Sequence, residues 1–261
     1  MLDNNDILSK ITPKTAKDIA KTYNILSPYI KLKSSLQTIF PEKNINEYSK
    51  LDIHLLFNKI ILEKYKSEIL YKSLLVDYFI NENVTAAFEI KANSSRLDFL
   101  RINGSTISYE IKSEVDNLSK LEKQVSDYSK LFDYNYVVIG QNHLTSIKSI
   151  LPKNYGIFVV KNDKLQQYKK SKKNTKTDVN LQLNLFTKKE LLTFFNNNDK
   201  SNIPNLFSLN QIQNKFHSML KNRYIKKWEF LKENKNNILP IDYQYFFRHN
   251  ISPDIIYERG N

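Results

Sequence analysis

The sequence is poor in residues on which several common kinds of active site depend. Its 261 residues include no cysteine and only four glycines. The lack of cysteine excludes disulfides, cysteine-ligated zinc and thiol catalysis. The glycines form no phosphate-binding loop of the G-x-x-x-x-G-K or G-x-G-x-x-G kind, and the four histidines have no H-x-x-x-H spacing. A nucleotide-driven motor is therefore disfavoured, and histidine-ligated zinc is not expected.

Long apolar segments are also lacking. No apolar run approaches the roughly 20 residues that cross a bilayer, and the opening MLDNNDILSK lacks the basic-then-apolar layout of a signal peptide. We therefore expect a cytoplasmic protein that does not enter a membrane. The length allows one core with a helical accessory region, or two small domains.

Acidic residues are too few to balance the basic ones, and the formal net charge is +13. Residues 1–160 contain 21 basic and 18 acidic side chains, whereas residues 161–261 contain 19 and 9, so the excess is mostly C-terminal. A basic excess is typical of proteins that bind polyanions. Frequent Asn, Lys and Ile also suggest an AT-rich coding genome, which would explain part of the lysine content without selection.

The segment between residues 89 and 128 carries the most informative pattern. In SYEIKS, Glu110 and Lys112 are two apart, so they share one face of a strand. Ile111 then faces a core, while its carbonyl stays free to contact a hard cation.

An Asn-Gly pair at residues 103–104 is a strong hairpin signal. It predicts that a strand over Leu97–Arg101 pairs antiparallel with one over Ile107–Ile111, which brings Asp98 opposite Glu110. Two such carboxylates repel each other unless a cation lies between them, and oxygen ligands suit Mg²⁺ or Mn²⁺. A cation there would activate water and stabilise an attacked phosphate, with Lys112 at the water or the phosphate. These are the roles of phosphodiester hydrolysis.

A family resemblance rests on these residues. The spacing D-x(11)-E-x-K, at Asp98, Glu110 and Lys112, is followed by Q-x-x-x-Y at Gln124 and Tyr128. Together they resemble the PD-(D/E)xK nuclease superfamily, particularly its branches with a Gln/Tyr helix motif. The chain also resembles an uncharacterised bacterial group of small proteins with an E-I-K-S and Q-x-x-x-Y signature, and the likeness covers roughly residues 84–160.

One position departs from the superfamily pattern, because Leu97 stands where proline is common. The resemblance implies a Mg²⁺- or Mn²⁺-dependent nuclease acting on nucleic acid, DNA rather than RNA, and a homodimer is plausible. The metal would be held by Asp98, Glu110 and the Ile111 carbonyl. Lys112 would act in catalysis, and Gln124 and Tyr128 would line the substrate side.

Further acidic and basic residues are candidates for the same site. The resemblance implies an additional acid from the strand AAFEIK, at Glu89, although Glu68 on the preceding helix competes for this role. Arg96 lies two positions before Asp98 and can hold a carboxylate or a phosphate bidentately. Asp116 is predicted to cap the helix that follows it.

Plainer explanations stand beside these assignments. An exposed strand often alternates Glu and Lys for solubility, and Glu89 can be a solvent-facing strand residue. Gln124 and Tyr128 share a helix face, but Tyr128 can also be an ordinary core aromatic.

The apolar patterns predict an α-β-β-β-α-β order with a late β addition. Helical periodicity runs from Ile53 to Phe79. Strands follow near Ala86–Ile90 and at the hairpin, then a helix over Leu118–Phe132. The other predicted elements are a strand at Tyr136–Gly140, a short helix at Leu144–Ile150 and a hairpin of Tyr155–Val160 and Lys164–Tyr168 around an Asn-Asp turn. The fold class is thus α/β: a restriction-endonuclease-like αβββαβ core with a mixed sheet, plus helical N- and C-terminal regions.

Three regions follow along the chain. Residues 1–50 are predicted to form a helical N-terminal region, residues 51–170 the nuclease-like core, and residues 171–261 a basic linker and a helical C-terminal region. The densest basic stretch is YKKSKKNTKT, which holds Lys169, Lys170, Lys172, Lys173 and Lys176. It is either a solvated linker or a phosphate-binding arm.

A second helical pattern covers Leu209–Lys232, with aromatic residues about every four positions. This stripe is more typical of a core than of a base-stacking platform. Thr187 and Glu190 have the spacing of a capping box.

The sequence therefore favours a metal-dependent nuclease. An alternative is a nucleic-acid-binding regulatory or defence-system subunit of the same fold with little or no hydrolysis. A partner role in a defence or repair system fits either function. A purely structural interaction protein is the third possibility, but it does not explain why site-type residues occur in the superfamily's order.

Overall fold

The computed structural model describes residues 8–41, 45 and 47–258. The chain forms two compact units. A sheet unit comprises Leu74–Glu229, and a helical unit comprises the described residues of Met1–Ser73 and Phe230–Asn261. The three regions named above describe order along the sequence and remain a prediction.

The sheet unit is built on a mixed β-sheet. Within the described residues the sheet has six strands in sequential order, and they are β1 Thr85–Ala92, β2 Ser95–Ile102, β3 Thr106–Lys112, β4 Tyr134–Gly140, β5 Gly156–Lys161 and β6 Lys164–Lys169. The first three strands pair antiparallel, β3–β4 and β4–β5 pair parallel, and β6 returns antiparallel. The expectation of a mixed α/β fold with helical flanks is confirmed.

Both faces of the sheet are apolar, as a sheet covered on both sides requires. On one face the helix α5, Leu121–Ser129, connects β3 to β4. Its buried residues Leu121 and Val125 belong to one cluster with Val137, Ile139 and Ile157 of the sheet. On the other face aromatic rings contact one another, among them Phe79, Phe88, Phe99, Tyr109, Tyr136 and Phe158.

Both predicted hairpin turns are confirmed. Ile102 pairs with Thr106, so the first loop has three residues, and Gly104 adopts φ +65°, a region that favours glycine. The second loop has two residues, Asn162 and Asp163, with φ +51° and +56°. Positive φ at both positions is the type I′ geometry that matches the twist of a hairpin.

Helices complete the sheet unit: α6 Val179–Asn184, α7 Lys188–Phe195, α8 Ile203–Leu206 and the part of α9, Leu209–Glu233, that precedes Phe230. The predicted capping box of Thr187 and Glu190 starts α7. In α9 the aromatic stripe of Phe216, Tyr224 and Trp228 is core at two positions, as expected, since Phe216 and Trp228 are buried, whereas Tyr224 is half-buried. Two short 3₁₀ helices, Gln141–His143 and Ser146–Ser149, replace the single short helix predicted at 144–150.

The helical unit contains α1 Pro13–Thr22, α2 Tyr29–Ile39, α3 Lys50–Lys64, the first residues of α4 Glu68–Phe79, α10 Tyr243–His249 and α11 Pro253–Tyr257. The long helical pattern from Ile53 to Phe79 is thus two helices with a break at residues 65–67. Thr12 caps α1, and Ser49 with Asp52 forms a capping box on α3. No described helix has the length and apolar character needed to span a membrane.

A polar network lies inside the helical unit. Tyr23 and Tyr257 donate hydrogen bonds to Asp242 Oδ2, at 3.0 and 2.8 Å. The Tyr23 hydroxyl also lies 2.7 Å from His54 Nδ1. The network joins the N-terminal helices to the C-terminal segment.

Candidate functional site

Three acidic residues occupy one row across the antiparallel strands. Pairs on both sides of Glu89 and Asp98 keep the β1–β2 register, so these two residues are opposite each other. Paired residues in a sheet point to the same face, and carboxylate oxygens of Glu89 and Asp98 lie within 4.8 Å of each other. The expectation that an acid of AAFEIK lies near Asp98 agrees with this geometry.

The third member of the row is Glu110, just beyond the point where the pairing of β2 with β3 ends. The β2–β3 pairing ends at Phe99 and Tyr109, so the next opposed positions are Asp98 and Glu110. In place of a ladder bond, the Ile111 N–H donates to Asp98 Oδ2 at 2.7 Å. The predicted hairpin therefore brings the two acids together.

The backbone at Glu89 is unusual. Its φ is +55°, whereas the sequence predicted an ordinary strand. A left-handed conformation costs a non-glycine residue about 1–2 kcal/mol, and such strain concentrates at functional sites. The Glu89 side chain is only 15% exposed, and its Oε2 lies 3.6 Å from Arg96 Nη1. The predicted proximity of Arg96 to the acids is thus present.

Glu110 is buried, with 1% of its surface exposed. Lys112 Nζ donates to its Oε1 at 2.7 Å, and the Tyr128 hydroxyl donates to its Oε2 at 2.7 Å. Burial raises the pKa of Glu110, and the charge of Lys112 and these hydrogen bonds only partly oppose the rise. Additional positive charge nearby would therefore stabilise the ionised form of this carboxylate.

The helix α5 supplies the Gln/Tyr pair beside the row. Tyr128 is fully buried and also lies 2.9 Å from the Arg96 carbonyl oxygen. Burial, and then the charge of Glu110, raises the pKa of Tyr128. Among the described residues, buried Gln124 Oε1 has no hydrogen-bond partner, so the site contains an unsatisfied oxygen acceptor. Tyr128 is thus a buried aromatic residue that also contacts Glu110.

Ile111 presents its backbone to this site. Its N–H points to Asp98, and the N–H and C=O of one strand residue point to the same side. Carboxylates, a carbonyl and an amide oxygen are ligands that Mg²⁺ and Mn²⁺ accept. The residues present therefore fit a hard divalent cation.

Asp127 is a supporting residue that the sequence analysis missed. Its carboxylate accepts hydrogen bonds from Asn93, Ser94 and Ser95, at 2.7, 2.9 and 2.6 Å. Burial alone would raise the pKa of Asp127, but these three bonds hold it below its ordinary value. Asp127 thereby fixes the β1–β2 turn against α5. The available signal was the run of short polar donors at residues 93–95.

The prediction that Asp116 caps α5 is wrong. Asp116 accepts from the N–H and hydroxyl of Ser113, at 2.8 and 2.6 Å. The residue at the N-cap position is Lys120, which makes no side-chain capping bond. Asp116 lies too far before the first turn of α5 and instead closes the turn that follows Lys112.

Glu68, the alternative to Glu89, begins α4 in the helical unit. There it forms an ion pair with Lys72 at 2.5 Å.

The lysine-rich segment after β6 follows a fixed path over the sheet unit. The backbone N–H groups of Lys172, Asn174 and Asp178 donate to carbonyls at 2.9, 2.7 and 2.7 Å. Ser171 and Asn174 are buried, while Lys170, Lys172, Lys173 and Lys176 are exposed. This arrangement contrasts with a freely solvated linker and presents the lysines outward.

These lysines do not lie at the acidic row. Asn174 N–H is bonded to the carbonyl of Asp133, whose carboxylate accepts from Thr106 at the start of β3. Glu110 is four strand residues further on, or about 13 Å. The basic segment therefore lies toward the other end of β3.

A cleft of about 340 Å³ lies at the C-terminal end of β1. It is lined by residues that include Lys91, Arg223 and Tyr224. Tyr224 is the member of the aromatic stripe that is not buried. The sequence pattern gave no sign that this ring differs from its neighbours.

No curated protein matches the chain. A solved structure described as the SPO1766 protein of unknown function from Silicibacter pomeroyi is 14% identical, covering 39% of this chain and 68% of that one with a TM-score of 0.32. A likeness of this size does not bear on fold or activity. The model of a family described as bacteriophage P4 protein cII matches residues 57–246, which include the acidic row, α5 and the basic segment. The chain therefore belongs to the bacteriophage P4 protein cII family.

Proposed function

We propose that the sheet unit is a restriction-endonuclease-like, PD-(D/E)xK-type domain that hydrolyses phosphodiester bonds of nucleic acid, DNA rather than RNA. The observation that carries the proposal is the acidic row of Glu89, Asp98 and Glu110 across three adjacent strands, with the Lys112 ammonium 2.7 Å from Glu110. A purely solvent-facing role of these residues would explain neither the burial of Glu110 on β3 nor the positive φ of Glu89 on β1.

The row is proposed to hold Mg²⁺ or Mn²⁺ through Asp98, Glu110 and the Ile111 carbonyl, with Glu89 as a further acid. Such a cation, when bound, supplies positive charge to the attacked phosphate and lowers the pKa of water. Gln124 Oε1, which has no partner among the described residues, is available to the cation shell or to the substrate.

Lys112 shares a strand face with Glu110, so its ammonium is placed to orient the attacking water or to stabilise charge on the phosphate. Tyr128 holds Glu110 from the α5 side. Arg96, whose side chain is 68% exposed, can contact a phosphate without leaving Glu89. The exposed lysines of the basic segment add sequence-independent attraction for the nucleic-acid backbone.

The test is cleavage by the purified full chain. Supercoiled DNA, linear duplex, single-stranded DNA and RNA are incubated with Mg²⁺, Mn²⁺ or EDTA. We expect cutting of DNA that requires the metal and falls at least about 10³-fold in Asp98→Asn and Lys112→Met. Glu122→Gln and Lys123→Met, which change exposed residues of α5, are the matched controls and should retain activity.

Two results would reject the proposal. Metal-dependent cutting that survives both site variants would mean that the active site lies elsewhere. Salt-dependent DNA binding without any cutting, by a protein whose variants are all folded, would instead support the alternative of a binding subunit with the same fold.

A further inference from the structure

A second cavity, of about 380 Å³, lies in the sheet unit between the β2–β3 hairpin loop, the start of β4 and the helix α9. Its lining includes the side chains of Tyr134, Lys173, Asn210, Gln213, Asn214 and His217. The volume is in the range of small-ligand sites. Its position at the Thr106 end of β3 separates it from the acidic row.

The wall formed by α9 has a distinct composition. Asn210, Gln213, Asn214 and His217 have helical spacing of 0, 3, 4 and 7, so they form one stripe on the helix surface. Lysines occupy other positions of the same helix, but this stripe holds three amides and one imidazole. It therefore offers hydrogen-bond donors and acceptors in place of charge.

The opposite walls are fixed by hydrogen bonds. Asp133 accepts from the N–H and hydroxyl of Thr106, both at 2.7 Å, and His217 Nε2 lies 2.8 Å from its Oδ2. Asn174 N–H donates to the Asp133 carbonyl, which places the preceding Lys173 at the rim. Asp133 Oδ2 thus accepts two hydrogen bonds from Thr106 and lies beside the His217 ring.

Gln213 is also held in place. Its Nε2 donates to Thr177 Oγ1 at 2.7 Å, so its amide oxygen remains available as an acceptor. The side chains of Asn210 and Asn214 form no hydrogen bond with another residue in the part of the chain that the structure describes.

We infer that this cavity binds one unstacked nucleotide of a single nucleic-acid strand. The amides of Asn210, Gln213 and Asn214 match the donor and acceptor edge of a base, as paired amide contacts do in nucleic-acid recognition. The ring of Tyr134 gives an aromatic surface for base contact. Lys173 binds the adjoining phosphate, and the exposed lysines beside it bind the next phosphates.

The substrate class follows from the shape of the site. A base that enters a cavity has to leave a duplex stack, which costs least in a single strand. The cavity is a binding site, so the inference does not require that the acidic row hydrolyses anything.

The test measures binding of a fluorescein-labelled single-stranded 12-mer by anisotropy in EDTA, with a duplex of the same sequence for comparison. We expect tighter binding of the single strand. The double variant Asn210→Ala/Asn214→Ala should weaken single-strand binding roughly tenfold and leave the duplex nearly unaffected. Asn222→Ala, an exposed amide elsewhere on α9, is the matched control.

Lys173→Ala separates phosphate contact from base contact. It should lower the slope of log affinity against log salt by about one for both substrates, with Lys221→Ala as the exposed lysine control. Equal binding of both substrates would overturn the inference. So would a double variant that binds like Asn222→Ala, because the lysines would then account for the affinity alone.

The test also remains separate from the proposed function. All arms are read in EDTA, so absent cleavage does not affect them, and cleavage without single-strand preference would reject the cavity assignment alone. Thermal unfolding of each variant confirms that it is folded.

Discussion

Each of the two units contains a buried cluster of ionisable groups, and the clusters resolve the cost of burial in different ways. In the helical unit one carboxylate, Asp242, accepts hydrogen bonds from Tyr23 and Tyr257. In the sheet unit two of three opposed carboxylates, Glu89 and Asp98, approach within 4.8 Å.

The helical cluster can become neutral without any ligand. Burial raises the pKa of Asp242 to about 7 and, with the charge of Lys50, lowers the pKa of His54 to about 4. Both shifts favour uncharged forms, and hydroxyl groups contact Asp242 Oδ2 and His54 Nδ1, whereas buried His54 Nε2 has no hydrogen-bond partner among the described residues. Such a network is a stabilising core feature.

The acidic row has no comparable solution within its own side chains. Lys112 compensates Glu110, and Arg96 reaches Glu89 at 3.6 Å, but the row still combines like charges with a strained backbone at Glu89. Buried polarity alone therefore does not distinguish the two clusters. Like charges held together at a conformational cost do, and an added cation would relieve them, as the proposed function requires.

Replacing Glu110 should change activity the most. If this residue were merely structural, the acidic row would not differ in role from the helical cluster. Glu110→Gln removes the charge and leaves one amide oxygen, which can accept from Lys112 or Tyr128 but not from both. We expect cleavage to fall at least about 10³-fold, and the free energy of unfolding in EDTA to fall as well, because the mostly buried Lys112 ammonium loses its charged partner. Urea unfolding and plasmid cleavage measure the two quantities.

Added Mn²⁺ gives an independent readout of the same variant. A ligand that binds only the folded state raises its stability, so Mn²⁺ should raise the unfolding midpoint of the wild type and of Glu122→Gln, but not of Glu110→Gln. Equal shifts in all three proteins would show that the row does not hold the metal.

The helical cluster should give the opposite result when its acid is removed. Asp242→Ala leaves the buried Tyr257 hydroxyl without its acceptor, and we expect a loss of about 2–4 kcal/mol in the free energy of unfolding. Asp18→Ala, at an exposed position of α1, should cost less than about 0.5 kcal/mol. A small loss of unfolding free energy in Asp242→Ala would show that this cluster does not stabilise the fold.

A pH series sharpens the contrast further. The folded pKa of Asp242 is raised from 3.8 to about 7, so its contribution to stability is full below pH 3.8 and is lost as pH rises through about 7. His54 is shifted from 6.5 to about 4, so its contribution is full above pH 6.5 and is lost as pH falls through about 4. The two groups therefore oppose each other between these limits.

Comparison with Asp242→Asn isolates the carboxylate contribution. The unfolding free energy of the wild type minus that of the variant should decrease by roughly 1–3 kcal/mol from pH 4 to pH 7. Urea titrations at each pH provide the measurement, and Asp18→Asn should give a flat difference. A difference that increases with pH would mean that the Asp242 carboxyl is ionised throughout.

The same contrast explains how much of the site was predictable. The Asn-Gly hairpin and the E-x-K spacing act over a few residues, so they placed Asp98 opposite Glu110, and helical spacing placed Gln124 and Tyr128 on one face. These predictions use only strand and helix geometry.

Other features depend on partners that are remote along the chain. The lysine segment is held by the backbone carbonyls of residues 130, 133 and 154, and backbone acceptors have no sequence signature. His217 meets Asp133 across 84 positions. The positive φ of Glu89 contradicts the local alternation, because the surrounding sheet imposes a conformation that the AAFEIK pattern does not predict.

The backbone strain at Glu89 can be tested directly, and the expected change in stability is small. Glu89→Gly places the residue that tolerates positive φ at this position, so stability in EDTA should rise by about 1 kcal/mol while cleavage decreases. Lys91→Gly, at an exposed position of the same strand without positive φ, should instead lose about 0.5–1 kcal/mol. If both glycine variants are destabilised to the same extent, Glu89 is unstrained, and the acidic row would then differ from the helical cluster in charge alone.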